Sequence, residues 1–196
     1  AYRADPRAHK IDLGVGVYQD EVGRTPIMRA VSDAERHLLV NETTKTYQGI
    51  AGDPVFNERL LALLLGANHR VLEEDRVRGV QTPGGCGALR IGAELIQRAR
   101  PGAKVWVSTP TWANHIPLIG GAGLHLAEYP YFDAASGGID FDAMMDTLSK
   151  VGPGELVLLH GCCHNPTGAD LDLEQWRALT GLALDNGFTP YVDVAY

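Results

Sequence analysis

Two apolar segments decide the fold: residues 156–161, LVLLHG, and residues 190–196, PYVDVAY. Such nearly continuous apolar runs are typical of strands that are covered on both faces of a mostly parallel sheet. The sequence between them predicts a helix that begins at a capping box, Asp172 with Gln175, and ends before Gly187. A strand, a helix and a second strand in this order indicate an α/β fold.

Apolar spacing and capping residues extend this pattern over most of the chain. A helix is predicted to begin at Thr25 and Pro26, and a second helix to begin at Asp53 and end at Gly66. Five strands are predicted, most of them separated by helix-like stretches: residues 78–82, 104–108, 124–129, 155–160 and 189–194.

Composition limits the classes of function. The chain has 196 residues, of which 45% are hydrophobic, and its formal net charge is −7. Because nucleic acids and anionic membranes normally require a concentrated basic face, we expect neither as a partner and favour small-molecule chemistry. Three cysteines give no disulfide framework and suit a reducing cytoplasm. Both ends of the sequence look cut, since it opens on Ala1 and stops directly after an apolar strand.

Unusual loops follow the predicted strands. Ligands of open α/β sheets bind where the carboxyl ends of the strands meet. The loops expected at that edge are TPGGCG after the first strand, STPTWANH after the second, HGCCHNPTG after the fourth and DVAY in the fifth.

The loop HGCCHNPTG has a composition that suggests a metal site. However, adjacent Cys162 and Cys163 on or near a strand would point to opposite sides of it, so one tetrahedral site could not readily use both. We therefore expect no metal and favour a packing role for the cysteines, with a vicinal redox disulfide as the alternative. Asn165 begins a tight turn, and its amide either faces a ligand or belongs to a plain turn.

The glycines of PGGCG precede a predicted helix and would expose backbone N–H groups to a phosphate. A dinucleotide fingerprint fails, because Arg90 stands where its third glycine would be. A phosphate site and an ordinary glycine-rich turn both stay open. Asp193, flanked by valines, needs either a distant side chain or a cationic ligand atom as its partner. Trp112 is either a packing residue or a platform for a flat ring.

Taken together, a ring platform, a phosphate site, an amide and a carboxylate at one sheet edge match the needs of pyridoxal 5'-phosphate. At this point the chain resembles the fold-type I aminotransferases of the aspartate and aromatic-amino-acid branch. The resemblance implies an incomplete large domain at residues 27–196, with a mostly parallel sheet between helices, and a piece of the small domain at residues 1–26. The stretches that carry it are IDLGVGVYQDEVGRTPIM, NETTKTYQGIAGDP, QTPGGCGALR, VWVSTPTWANH, DFDAM, LLHGCCHNPTG, LEQW and YVDVAY.

The resemblance also implies roles for individual residues around the cofactor ring. Asp193 would face the pyridine nitrogen and keep it protonated, which makes the ring an electron sink. Tyr196 and Asn165 would hydrogen-bond the phenolic oxygen, and Trp112 would stack on the ring. His115 would hydrogen-bond Asp193 from behind, and His160 would lie further back.

Further roles concern the phosphate, the substrate and a second subunit. Gly85 and Cys86 would offer backbone N–H groups to the phosphate, with Tyr47 reaching across from the partner of a homodimer. Family members usually carry a hydroxyl residue where this chain has Cys86. Gly16 would lie over the substrate carboxylate, with Trp112 and Asn165 also near the substrate.

The implied reaction is reversible amino transfer between an amino acid, aspartate or aromatic, and a 2-oxo acid. It requires a lysine that bonds covalently to the cofactor, and none of the four lysines has the expected SxxK-type context. That lysine is expected beyond Tyr196. The alternatives are an incomplete fragment that only binds cofactor or phosphate, and a zinc or thiol-redox module. The four lysines are Lys10, Lys45, Lys104 and Lys150.

Overall fold

A computed structural model describes residues 2–10, 12, 14 and 16–196. The chain divides into two compact units, the first ending at Tyr47 and the second running from Gln48 to Tyr196. The boundary predicted after residue 26 is a different division, between a small and a large domain of the resembled family. It stays a prediction.

The first unit contains a short 3-10 helix, Tyr2–Ala4, and helix α1, Arg29–Asn41. Helix α1 begins later than the predicted start at Thr25. The reason is that the Thr25 hydroxyl donates to the carbonyl oxygen of Tyr18 at 3.0 Å and does not cap the helix. Met28 precedes α1 in an extended conformation.

In the second unit, helices and strands alternate as predicted. Asp53 accepts the backbone N–H of Phe56 and caps α2, while Asp172 and Gln175 form the predicted capping box of α7. The elements are α2 (Pro54–Leu65), α3 (Arg70–Glu73), α4 (Gly84–Ala99), β1 (Lys104–Thr109), α5 (His115–Gly120), β2 (His125–Pro130), β3 (Phe132–Asp133), β4 (Gly138–Ile139), α6 (Phe141–Leu148), β5 (Leu156–His160), α7 (Leu173–Asn186) and β6 (Thr189–Asp193).

The main sheet is parallel and has the order β2-β1-β5-β6, while β3 and β4 form a separate antiparallel pair. The chain moves outward from β1 to β2, and later from β5 to β6 in the opposite direction. The order therefore reverses between β1 and β5, which is where open α/β sheets bind ligands.

Helices cover both faces of the sheet, which confirms the predicted α/β class. Leu156 and Leu158 of β5 pack with residues of α4 and α5, whereas Val157 and Leu159 pack with residues of α6 and α7. This alternation follows from the two-residue period of a strand. In the described part of the chain, no helix has the length and apolar character needed to cross a membrane.

Two predictions about strands are wrong. Residues 78–82, all of them described, form no strand. The backbone N–H of Gln81 donates to the carbonyl of Ala51 at 2.9 Å, so this stretch bonds to a loop and not to a neighbouring strand. Strand β6 is also not covered on both faces: Val192 is exposed, as is Val194 directly after the strand, and β6 is at the edge of the sheet.

Candidate functional site

One cavity collects most of the residues that the sequence singled out. It lies at the carboxyl ends of β5 and β6, beside the loop after β1 and the first turn of α4. The predicted site residues in its lining are Gly85, Cys86, Trp112, His160, Asn165, Asp193 and Tyr196.

The parallel pairing of β5 and β6 brings two of these residues together. His160 is opposite Asp193 in the register, and the N–H of Gly161 donates to the carbonyl of Asp193 at 2.8 Å. Trp112 lies in the loop after β1 and meets the ring of His115 edge-on, with ring centroids 5.4 Å apart. Three neighbouring strands thus contribute a histidine, a carboxylate and an indole ring to one wall.

Asp193 is oriented by a buried histidine. Nε2 of His115 is 2.9 Å from Oδ2 of Asp193, and the Asp193 side chain is 18% exposed. Among the described residues, His115 is the side chain that hydrogen-bonds the Asp193 carboxylate. The carboxylate therefore keeps contact with the cavity while its far side is occupied by an imidazole.

A line of hydrogen bonds behind Asp193 defines the histidine tautomers. The N–H of Asn165 donates to Nδ1 of His160 at 3.2 Å, and because a backbone N–H can only donate, Nδ1 carries no proton. His160 then donates from Nε2 to the Thr111 hydroxyl at 3.2 Å, and that hydroxyl donates to Nδ1 of His115 at 2.8 Å. His115 consequently donates from Nε2 to Oδ2 of Asp193, which accepts.

Burial, and then a second histidine, keep His160 neutral. The His160 ring stacks on His164 at 4.0 Å between centroids, and His164 stacks on Tyr131 at 4.1 Å. Burial, followed by the neighbouring His164 and His115, lowers the pKa of His160 to about 4. Burial also lowers the pKa of His164 to about 4. At neutral pH both rings are therefore uncharged, as the tautomers above require.

The cysteines contradict one expectation. Cys162 and Cys163 line the same cavity, together with Cys86, and do not point to opposite sides. The reason is that both follow the last residue of β5, and Cys163 has a left-handed backbone with φ of 50°. Cys163 is exposed, and partial desolvation of its thiol, followed by the adjacent Cys162, raises its pKa. Within the described residues, no cluster of three or more potential ligands is arranged for a metal ion.

Gly16 and Tyr47 belong to the first unit, and both are exposed. The predicted contacts of Gly16 with a substrate and of Tyr47 with a partner's phosphate site stay predictions. Ile11, Leu13 and Val15, which belong to the quoted stretch IDLGVGVYQDEVGRTPIM, lie outside the described residues.

Sequence reasoning missed Thr111 and Asp170. Thr111 joins the two histidines, and Asp170 accepts the backbone N–H groups of Cys163 and His164. Thr111 belongs to the quoted loop STPTWANH, next to Trp112, so the sequence indicated its position at the sheet edge. Nothing in the sequence indicated its hydrogen bonds to the two histidines. Asp170 gave no signal, because an aspartate near a helix start is expected in any α/β chain.

Known proteins resemble the chain over its whole length. The family described as aminotransferase class I and II matches residues 8–196. An aspartate aminotransferase of Salmonella typhi and an aromatic-amino-acid aminotransferase of Paracoccus denitrificans are each 48% identical over 195 residues, which make up 100% of this chain and 49% of either protein.

A solved structure agrees in fold. The crystal structure of an aromatic-amino-acid aminotransferase from Burkholderia pseudomallei, covalently bound to pyridoxal phosphate, superposes with a TM-score of 0.92 at 40% identity, covering 100% of this chain and 49% of that one. The chain spans about half the length of the curated relatives it matches. Because the family match runs through every loop that lines the cavity, the chain belongs to the class I and II aminotransferases.

Proposed function

We propose that the complete protein is a pyridoxal-phosphate-dependent aminotransferase, which moves an amino group between aspartate or an aromatic amino acid and a 2-oxo acid. One observation carries the proposal: the Asp193 carboxylate lines the cavity and is held as an acceptor by His115 at 2.9 Å. Such a carboxylate stabilises a protonated heterocyclic nitrogen.

The cavity fits the phosphate of the cofactor. The first N–H groups of a helix lack intrahelical acceptors, and α4 has no side-chain cap at its N-terminus. Gly85 and Cys86 belong to this first turn and line the cavity. Their N–H groups can therefore donate to a phosphate, which the helix dipole also favours.

The ring end of the cavity fits as well. Pyridoxal phosphate supplies an electron sink for a carbanion when it is bound. Asp193 would hold the proton on the ring nitrogen, while the Tyr196 hydroxyl and the Asn165 amide would donate to the phenolic oxygen. Trp112 would cover one face of the ring and exclude water, and Gly16 would bind the substrate carboxylate through its backbone.

The lysine that bonds to the cofactor is proposed to lie outside these 196 residues. In the described part of the chain, none of the cavity-lining residues is a lysine. Lys104 pairs with Glu155 at 2.8 Å, and Lys150 pairs with Asp146 at 2.8 Å. The substrate's carboxylates would likewise be bound by arginines from the remaining sequence.

A homodimer in the cytoplasm is part of this proposal. Tyr47 is 100% exposed, which leaves its hydroxyl free to reach a partner's phosphate site. Large apolar side chains of α1, such as Leu39 and Val40, are also exposed and need a partner surface or further chain to cover them. Three free cysteines suit a reducing compartment.

The test uses the complete protein, supplied with pyridoxal phosphate, aspartate or phenylalanine, and a 2-oxo acid. We expect amino transfer, and borohydride reduction should attach the cofactor to a lysine that peptide mapping finds outside these 196 residues. The Lys104→Arg variant, changed on the surface, should keep full activity. Cofactor binding without covalent trapping or transfer would support the binding-only alternative and contradict the proposal.

A further inference from the structure

The turn between β5 and α7 is held by one carboxylate that belongs to neither element. Oδ2 of Asp170 accepts the N–H of Cys163 at 2.8 Å, and Oδ1 accepts the N–H of His164 at 2.8 Å. Two consecutive backbone donors thus meet the two oxygens of a single side chain. Carboxylates that accept backbone N–H groups form strong, charge-assisted hydrogen bonds.

These hydrogen bonds act on a backbone that needs support. Cys163 has φ of 50°, a left-handed conformation that costs free energy for any residue other than glycine. Because Asp170 binds the N–H groups on both sides of the Cys163 α-carbon, it favours this conformation. The carbonyl of His164 then accepts the N–H of Gly168 at 2.7 Å, which closes the rest of the turn.

The left-handed residue determines where Asn165 lies. Asn165 lines the cavity, and its own N–H donates to Nδ1 of His160 at 3.2 Å. That hydrogen bond is the first in the series through Thr111 and His115 to Asp193. A shift of the turn would therefore move the Asn165 amide. It would also break the hydrogen bond that keeps Nδ1 of His160 unprotonated.

We propose that Asp170 is a positioning residue, which stabilises the left-handed Cys163 backbone and so sets Asn165 both for the cavity and for the hydrogen bonds to Asp193. The backbone part stands on the contacts of the turn alone. The consequence for cofactor affinity rests on the proposed function.

The experiment compares variants of the complete protein. In Asp170→Asn, one carboxylate oxygen becomes an NH₂ group that cannot accept an N–H. In the apoprotein, amide hydrogen exchange at Cys163 and His164 should rise about tenfold, because one amide loses its acceptor and the other keeps only a weaker hydrogen bond to a neutral amide oxygen. Pyridoxal phosphate, titrated by absorbance, should bind about tenfold more weakly.

Two further variants separate positioning from a general loss of stability. Adding Cys163→Gly to Asp170→Asn should restore most of the lost affinity, since glycine adopts the left-handed conformation without strain. Asp172→Asn removes the same charge two residues away, and because asparagine also caps helices well, it should change neither readout. An equal loss of affinity in all three variants would reflect a general loss of stability and would contradict the positioning role.

Three results would overturn the role of Asp170: unchanged exchange at the two amides in Asp170→Asn, no recovery of affinity with Cys163→Gly, or an equal loss in Asp172→Asn. A wild-type protein that does not bind pyridoxal phosphate would overturn the proposed function instead. The exchange measurement on the apoprotein would still decide whether Asp170 holds the turn.

Discussion

Strands β5 and β6 look alike in sequence and differ in the structure. Both are apolar runs, yet Val157 of β5 is 0% exposed, whereas Val192 of β6 is 46% exposed. The difference lies in their neighbours, since β5 pairs on both sides and β6 pairs on one. An apolar run therefore predicts that a strand forms, while its place in the sheet decides how far it is covered.

The largest effect that separates the two strands is on stability. Val157→Ala should lower the free energy of unfolding by about 2 to 4 kcal/mol, because it leaves a cavity between β5 and the helices on one face. Val192→Ala, the same change on the exposed strand, should cost less than about 1 kcal/mol. Urea unfolding of the two variants measures both values.

Similar losses in the two variants would contradict the difference in coverage between β5 and β6. The same two substitutions can also be compared in a longer polypeptide that contains this chain. If added residues cover the free edge and the exposed face of β6, the cost of Val192→Ala should rise toward the cost of Val157→Ala.

A smaller effect concerns the stacked histidines beside the end of β5, His160 and His164, which have no counterpart at the end of β6. The pKa values of His160 and His164 are lowered to about 4, below the unfolded value of about 6.5. The unfolded state therefore binds more protons as the pH falls through 6.5, and stability is lost until about pH 4.

Between pH 7 and pH 5, this effect should lower the free energy of unfolding by about 1 to 2 kcal/mol for the two histidines together, after allowance for solvent screening. Urea unfolding at closely spaced pH values measures the slope. Stability that does not change over this interval would show that the stacked rings are not held neutral by the fold.

The smallest effect is expected at Cys86, in the first turn of α4. Cys86→Thr should leave the affinity for pyridoxal phosphate equal or improve it by up to about tenfold, since a hydroxyl is a better donor than a thiol and the backbone N–H remains. Cys86→Ala is the matched control and should bind with nearly the wild-type affinity. A large loss in Cys86→Thr would mean that the phosphate site has been placed on the wrong loop.

Features encoded locally could be predicted from the sequence. The residues at which α2 and α7 begin follow from Asp53 and Asp172, whose carboxylates accept backbone N–H groups of the first helical turn. The residues of the cavity followed from a topological rule, since the carboxyl ends of parallel strands meet at one edge. Trp112, Asn165 and Asp193 line one cavity for that reason.

Features that depend on distant partners could not be predicted. The alternation of a strand gave the wrong directions for Cys162 and Cys163, because the left-handed backbone at Cys163 is supported by Asp170, which follows the turn. Residues 78–82 have a strand-like pattern, but a strand forms only where a neighbour supplies hydrogen bonds. The Thr25 hydroxyl bonds to Tyr18, so the predicted helix start is displaced.

The most direct test of the account concerns the proton on the cofactor's ring nitrogen. Pyridoxal phosphate labelled with nitrogen-15 in the ring, bound to the complete protein, should give the NMR shift of a protonated nitrogen at neutral and mildly alkaline pH. In Asp193→Ala the same nitrogen should lose its proton in that range. An unprotonated nitrogen in the wild-type protein, or a protonated one in Asp193→Ala, would contradict the central role assigned to Asp193.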